Sequence, residues 1–188
     1  MTLRAQRRAE TQRAIQAHAV RLFTERGYDA TTVNDVADAA GVSPMTVYRH
    51  FPTKEDLVLV DQHGQLLAER IAASSAAQPL VRRIGNALVE SAATLTDGAD
   101  EQFLLARLQL MISTPALRAK HLDNFYALQQ AIVGALEVTD PDSDFHAHAA
   151  ASACLAAMHT ALVRWAEDGS RTDLPDLIAK ALTAAFGP

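Results

Sequence analysis

The sequence predicts an all-α fold of about nine helices, with a three-helix head at the N-terminus and a larger helical body behind it. Three observations carry that prediction. Apolar residues recur at intervals of three and four along the chain, and capping pairs with glycine or proline stops cut them into segments. No strand-like apolar-polar alternation or internal repeat interrupts the pattern. Composition agrees: 49% of the residues are hydrophobic but only 5% aromatic, and abundant alanine, the best helix former, suits closely packed helices.

The first helix is predicted from about Arg4 to Arg26, because Ile15, Ala19, Leu22 and Phe23 fall at i, i+4, i+7 and i+8. Gly27 stops it, and the face opposite the apolar stripe carries Arg7, Arg8 and Arg21. Thr32 and Asp35 have capping-box spacing and open a second helix through about Ala40. Gly41 ends that helix, since glycine takes the left-handed conformation without a Cβ penalty. Ser43 then caps a third helix with Pro44 at its first position, and Phe51 and Pro52 stop it.

Ala37, Gly41 and Val47 supply what two helices meeting through a tight turn need. These are a small residue at the close approach, a glycine in the turn and an apolar anchor on the second helix. The spacing is that of a helix-turn-helix, whose second helix enters the DNA major groove with its N-terminal half on the base edges. Here that half is Ser43, Pro44, Met45 and Thr46.

Thr53 and Asp56 form another capping pair, from which Leu57, Val60, Gly64, Leu67 and Ile71 predict one helix to about Ala73. After a break from Ser74 to Pro79, Val81, Ile84, Leu88 and Ala92 mark a fifth helix, closed by Asp97 and Gly98. A sixth spans about Glu101 to Ile112. Thr114 and Pro115 open a seventh that buries Leu117, Phe125, Leu128, Ile132 and Leu136. Asp140, Pro141 and Asp142 break it. An alanine-rich eighth helix runs to about Asp168 and Gly169, and a ninth from about Leu174 carries Leu177, Ile178, Ala181, Leu182 and Phe186.

The run from Gly41 to Leu57, G-V-S-x-x-T-V-Y-R-H-F-P-x-K-E-D-L, resembles the DNA-binding signature of TetR/AcrR-family transcriptional regulators. The resemblance extends upstream through Ala19, Leu22, Phe23, Gly27, Tyr28 and Thr32 to Val36, and so covers about the first third of the chain. Pro44 and Met45 depart from the lysine and glycine often seen at those places, which bears on the operator read rather than on DNA binding itself. The resemblance implies a helix-turn-helix domain over residues 1–52 and an effector-binding and dimerisation domain over 53–188. It carries Thr46, Tyr48, His50 and Lys54 to backbone-contacting positions, where hydroxyl, imidazole and ammonium donors fix a protein's register on a duplex. Thr32 and Ser43 are expected among the DNA-binding residues as well. Asn34, Pro44, Met45 and Arg49 are the candidates for reading bases: Asn pairs with adenine, Arg with guanine, and Met45 can touch a thymine methyl. Arg49 can equally bind phosphate, and the sequence leaves both roles open.

Charge supports the same polarity. The formal net charge is −5, yet residues 1–54 hold eight Lys/Arg against five Asp/Glu, a formal +3, while the remainder holds nine against seventeen, a formal −8. A basic end for nucleic acid and an acidic body kept off the phosphates is the expectation.

Other chemistries fare poorly. The lone Cys154 rules out an intramolecular disulfide, fits a reducing cytoplasm, and lies in an apolar stripe where an inert thiol is expected. No run of roughly 20 apolar residues is present to span a bilayer, and the Arg-rich start lacks the apolar core of a signal peptide, so a cytoplasmic protein without a membrane partner is expected. His146 and His148 lie two apart and diverge on a helix, so no metal site is expected from them and no cofactor is called for. With no G-x-S-x-G elbow and no glycine-rich phosphate loop, no catalytic residue is assigned.

In the family the body encloses an effector site, for which Phe103, Arg107, Met111, Tyr126, Met158 and Trp165 are the candidates; as aromatic or methionine residues at helical spacing, most would also serve as ordinary core. Arg107, inside an apolar run, must snorkel, pair or meet an anionic ligand. The body weakly resembles the subgroup with acyl-CoA-like ligands, implying a small hydrophobic or amphipathic effector. The stripe Ala147, Ala151, Cys154 and Met158, with the apolar last helix, is expected to form a homodimer on a palindromic double-stranded DNA operator. The alternative is a ligand-independent architectural or helical adaptor protein that binds DNA.

Overall fold

A computed structural model describes residues 3–59, 63–96 and 100–187 and is helical throughout, with no strand among the described residues. The helices are α1 (Leu3–Arg26), α2 (Val33–Ala39), α3 (Pro44–His50), α4 (Asp56–Leu59), α5 (His63–Ala73), α6 (Leu80–Leu95), α7 (Asp100–Ser113), α8 (Pro115–Ala135), α9 (Pro141–Glu167) and α10 (Leu174–Phe186). The segments number ten rather than nine because the helix predicted over residues 53–73 is described as α4 and α5. Val60 between them, like the closing residues Asp97 and Gly98 of the predicted fifth helix, lies outside the described residues. No helix among the described residues is long and apolar enough to cross a membrane.

The chain divides into two compact units, Met1–Val60 with Gln109–Lys120, and Asp61–Leu108 with His121–Pro188. In the first, α1 packs on α2 and α4, and α2 on α3. Ile15, Ala19, Leu22, Phe23, Val36, Ala37, Val47, Phe51 and Leu57 are buried together with Met111 and Leu117 from the second segment of the same unit. In the second, α9 packs on α10 and α6, α6 also on α10, and α5 on α6. Its core is Ile84, Leu88, Ile132, Leu136, Ala147, Ala151, Cys154, Leu155, Trp165 and Ile178. Gly85 is where α6 and α10 come close, for a β-carbon there would stand 3.1 Å from Leu182 Cδ1.

Two expectations are corrected. Phe125 and Leu128 of α8 are half-buried rather than core, whereas Leu117, Ile132 and Val133 of the same helix, and Leu136 just after it, turn inward. The stripe Ala147, Ala151 and Cys154 is fully buried within the chain, with Cys154 Sγ 3.9 Å from the Val81 carbonyl, so it packs this chain's own core and is closed to a partner. Small exposed residues line another face of α9, at Ala149, Ala153, Ala156 and Thr160.

Candidate nucleic-acid interface

The turn that presents α3 is set by local bonds. Thr32 Oγ1 accepts the Asp35 N–H at 3.1 Å, and the Asp35 carboxylate accepts the Thr32 N–H at 2.7 Å, completing the capping box of α2. The Thr32 hydroxyl also donates to Asp35, and these bonds hold the Asp35 carboxyl below the usual carboxylate range. Thr32 therefore serves first as a cap. At the other end Gly41 sits at φ +67°, the Val42 N–H donates to the Ala37 carbonyl and the Gly41 N–H to that of Asp38. This is the paired bonding of a Schellman stop, and it turns the chain without orphaning the last carbonyls.

Ser43 restarts the helix: its Oγ accepts the Thr46 N–H at 3.1 Å and lies 2.9 Å from Thr46 Oγ1, with Pro44 in the first turn. Val47 is buried against the unit's core and anchors α3, leaving its other faces outside. Ser43, Pro44, Met45, Tyr48 and Arg49 are exposed, Met45 to 75% and Tyr48 to 49%; Asn34 of α2 is exposed, and Thr46 and His50 are half-buried. An exposed methionine and tyrosine on a seven-residue helix leave apolar surface unburied, as a groove-reading face requires.

His50 closes α3. Its Nδ1 is buried with no hydrogen-bond partner, and burial, then the charges of Arg8 and Arg49, pull its pKa below the ordinary histidine value. Arg8 of α1 was not among the sequence-derived site residues. The structure brings its charge to bear on the end of the reading helix, and the arginines on the polar face of the first helix were the available signal.

Lys54 is built into the first unit. Its Nζ donates to the Tyr28 carbonyl and lies 4.2 Å from the Tyr28 ring centroid and 5.5 Å from that of Phe23. Tyr28 Oη donates to the Glu55 carboxylate at 2.9 Å, and burial followed by that bond raises the phenol's pKa. An ammonium has three N–H donors, so Lys54 can staple the turn after α1 to the start of α4 and still reach a phosphate. Beside it, buried Asp56 accepts the Thr53 N–H at 3.0 Å and pairs with Lys120 at 3.6 Å.

The effector candidates are dispersed. Phe103 and Arg107 come together, with the guanidinium 5.6 Å from the ring centroid, and both are half-buried, as is Met158. Trp165 is buried in the second unit's core, Met111 is buried in the first unit, and Tyr126 is 66% exposed. Burial pushes the Cys154 thiol up to about 12, the state of an inert core cysteine. What the sequence reading missed is an aromatic cluster of His121, Phe125 and His159 joining α8 to α9.

Comparison with known proteins matches this geometry. Residues 15–60 fit the family described as bacterial regulatory proteins, tetR family, and residues 78–185 fit the MftR C-terminal domain. The chain belongs to the TetR family. It is a DNA-binding transcriptional regulator, and its relatives are regulators rather than enzymes. Among curated relatives of this TetR-family chain, the HTH-type transcriptional regulator TcmR of Streptomyces glaucescens is 27% identical over 152 residues, 76% of this chain and 67% of TcmR. The HTH-type transcriptional repressor KstR2 of Rhodococcus jostii is 55% identical, but over only 40 residues, 21% of this chain and 20% of KstR2. Among solved structures, FadR of Bacillus subtilis in complex with stearoyl-CoA superposes with a TM-score of 0.60 at 18% identity, covering 93% of this chain and 98% of FadR. FadR of Thermus thermophilus in complex with lauroyl-CoA gives 0.57 at 24%, covering 94% of each chain. These structural likenesses establish the shared fold.

Proposed function

We propose that this regulator is a homodimeric repressor that leaves a palindromic operator when a small amphipathic, acyl-CoA-like effector binds its second unit. The observation that carries the DNA half is the exposed face of α3, Ser43 to Arg49, fixed by its caps and the buried Val47. Residues 1–52 are assigned to DNA and 53–188 to effector and dimerisation. Tyr48, His50 and Lys54 take backbone phosphates, with Thr32, Ser43 and Thr46 holding the caps beside them, and Asn34, Pro44, Met45 and Arg49 face the bases. Work on chromosomal DNA places the protein in the cytoplasm.

The effector reading is supported by the fold shared with FadR proteins solved with stearoyl-CoA and lauroyl-CoA, and by the half-buried Arg107 on Phe103, a cation beside apolar surface as an anionic headgroup with an acyl tail requires. Phe103, Arg107 and Met158 are its core candidates. The dimer is supported by the exposed α9 face from Phe145, which is 70% exposed, through Ala149, Ala153, Ala156 and Thr160, and by Phe186 of α10, 40% exposed. Two copies double the base contacts and place reading helices one turn, about 34 to 36 Å, apart. The residues from Thr53 to Ala73 connect the two units along the chain and are the proposed path of coupling. Release of a labelled operator by stearoyl-CoA or lauroyl-CoA, and not by free coenzyme A, tests the reading. An operator complex indifferent to medium- and long-chain acyl-CoAs would instead favour the ligand-independent architectural role.

A further inference from the structure

We propose that His121 and His159 form a two-histidine site for a late first-row divalent cation such as Ni2+ or Zn2+, bridging α8 to α9. His121 Nε2 and His159 Nδ1 lie 3.1 Å apart, although 38 residues separate them in sequence. Two imidazole nitrogens bound to one ion at about 2.0 to 2.1 Å stand roughly 2.9 to 3.4 Å apart, for bond angles between a right angle and the tetrahedral value. The observed separation falls inside that range. The ring centroids are 5.1 Å apart with an interplanar angle of 30°.

Phe125, four residues after His121 on α8, packs on both rings at 5.6 and 6.0 Å between centroids, and both histidines are half-buried. The pair is thereby held in place before any ion arrives. Without metal the two nitrogens share one proton in a hydrogen bond. With that proton on His159 Nδ1, its transfer to His159 Nε2 frees both lone pairs and requires no proton to leave the protein. Imidazole ligands select the late, borderline cations over Mg2+ or Ca2+. Among the described residues no third His, Cys, Asp or Glu joins the pair. The two histidines supply two of the positions such an ion takes, and the others are filled by water or further donors. His146 on α9 is exposed and outside the cluster, so it provides an internal control.

The test is calorimetric titration of the purified, tag-free full chain with NiCl2. The expected result is saturable binding of one ion per chain, lost in His121→Asn and in His159→Asn and retained in His146→Asn, with circular dichroism confirming that each variant is folded. A measurement that needs no variant accompanies it: Co2+ added to the parent should broaden the imidazole proton signals of two of the seven histidines. Absence of saturable binding by the parent would overturn the proposal. So would one-to-one binding that survives in the His121→Asn/His159→Asn double variant, or Co2+ broadening centred on other histidines.

Discussion

Replacing Lys54 with methionine separates its two roles, because the aliphatic stem stays and only the ammonium goes. In the free protein that ammonium donates to the Tyr28 carbonyl and stands 4.2 and 5.5 Å from the Tyr28 and Phe23 ring centroids. A hydrogen bond from a charged group contributes about 1.5 to 3 kcal/mol, and a cation–π contact at a partly exposed site about 0.5 to 1 kcal/mol. Lys54 is half-buried, so solvent recovers part of both, and a net loss of about 1 to 2 kcal/mol is expected. For a chain of this length that lowers the midpoint of thermal unfolding by roughly 2 to 8 °C. If Lys54 also meets a phosphate, Lys54→Met weakens binding to every duplex alike and flattens the slope of log K against log salt by about one unit. Thermal unfolding and salt titrations of DNA binding read the two effects independently. Unchanged stability would refute the staple, and a changed base preference with an unaltered salt slope would refute the phosphate contact.

Three further outcomes follow from named contacts. His50 has a lowered pKa in the free protein, so its neutral form is favoured and protonation costs the fold stability as pH falls through the ordinary histidine range; a phosphate would favour the cation, so DNA affinity should rise on acidification from about pH 7.5 to 6 with uptake of up to about one proton, a dependence that His50→Gln removes. Ala156→Arg, on the exposed face of α9, should shift sedimentation from dimer to monomer while leaving the helical content intact, and an unshifted dimer would move the interface elsewhere. At Gly64 a β-carbon would meet Leu128 Cδ1 at 3.5 Å, an ordinary contact, so Gly64→Ala should fold and gain up to about 1 kcal/mol by helix propensity while altering the effector concentration that releases DNA; identical coupling in the variant would exclude this position from the relay.

The parts of the molecule that depend on neighbours in sequence were legible from it. Thr32 with Asp35, Gly41, and Ser43 with Pro44 are local chemistry acting over a few residues, and each adopts the geometry its type demands. The face of α9 was not legible, because Ala147, Ala151 and Cys154 follow the same helical period as Ala149, Ala153 and Ala156. In a helix small on both sides, periodicity cannot say which stripe is the core. Lys54 on Tyr28 and His121 on His159 are contacts across 26 and 38 residues, set by packing that no local pattern encodes. The placement of the effector candidates was likewise beyond local pattern: Phe103 and Arg107 meet through being one helical turn apart, while Met111 and Trp165 are buried.

The central claim is that α3 reads DNA sequence as one of a symmetric pair, and selection of bound duplexes from a random pool by the purified protein tests it most directly. The account predicts enrichment of a palindrome with half-sites about one helical turn apart, bound by two chains per duplex, and loss of preference at defined base pairs when Met45 or Arg49 is replaced by alanine. Selected duplexes with no common sequence, or an asymmetric site held by a single chain, would contradict it.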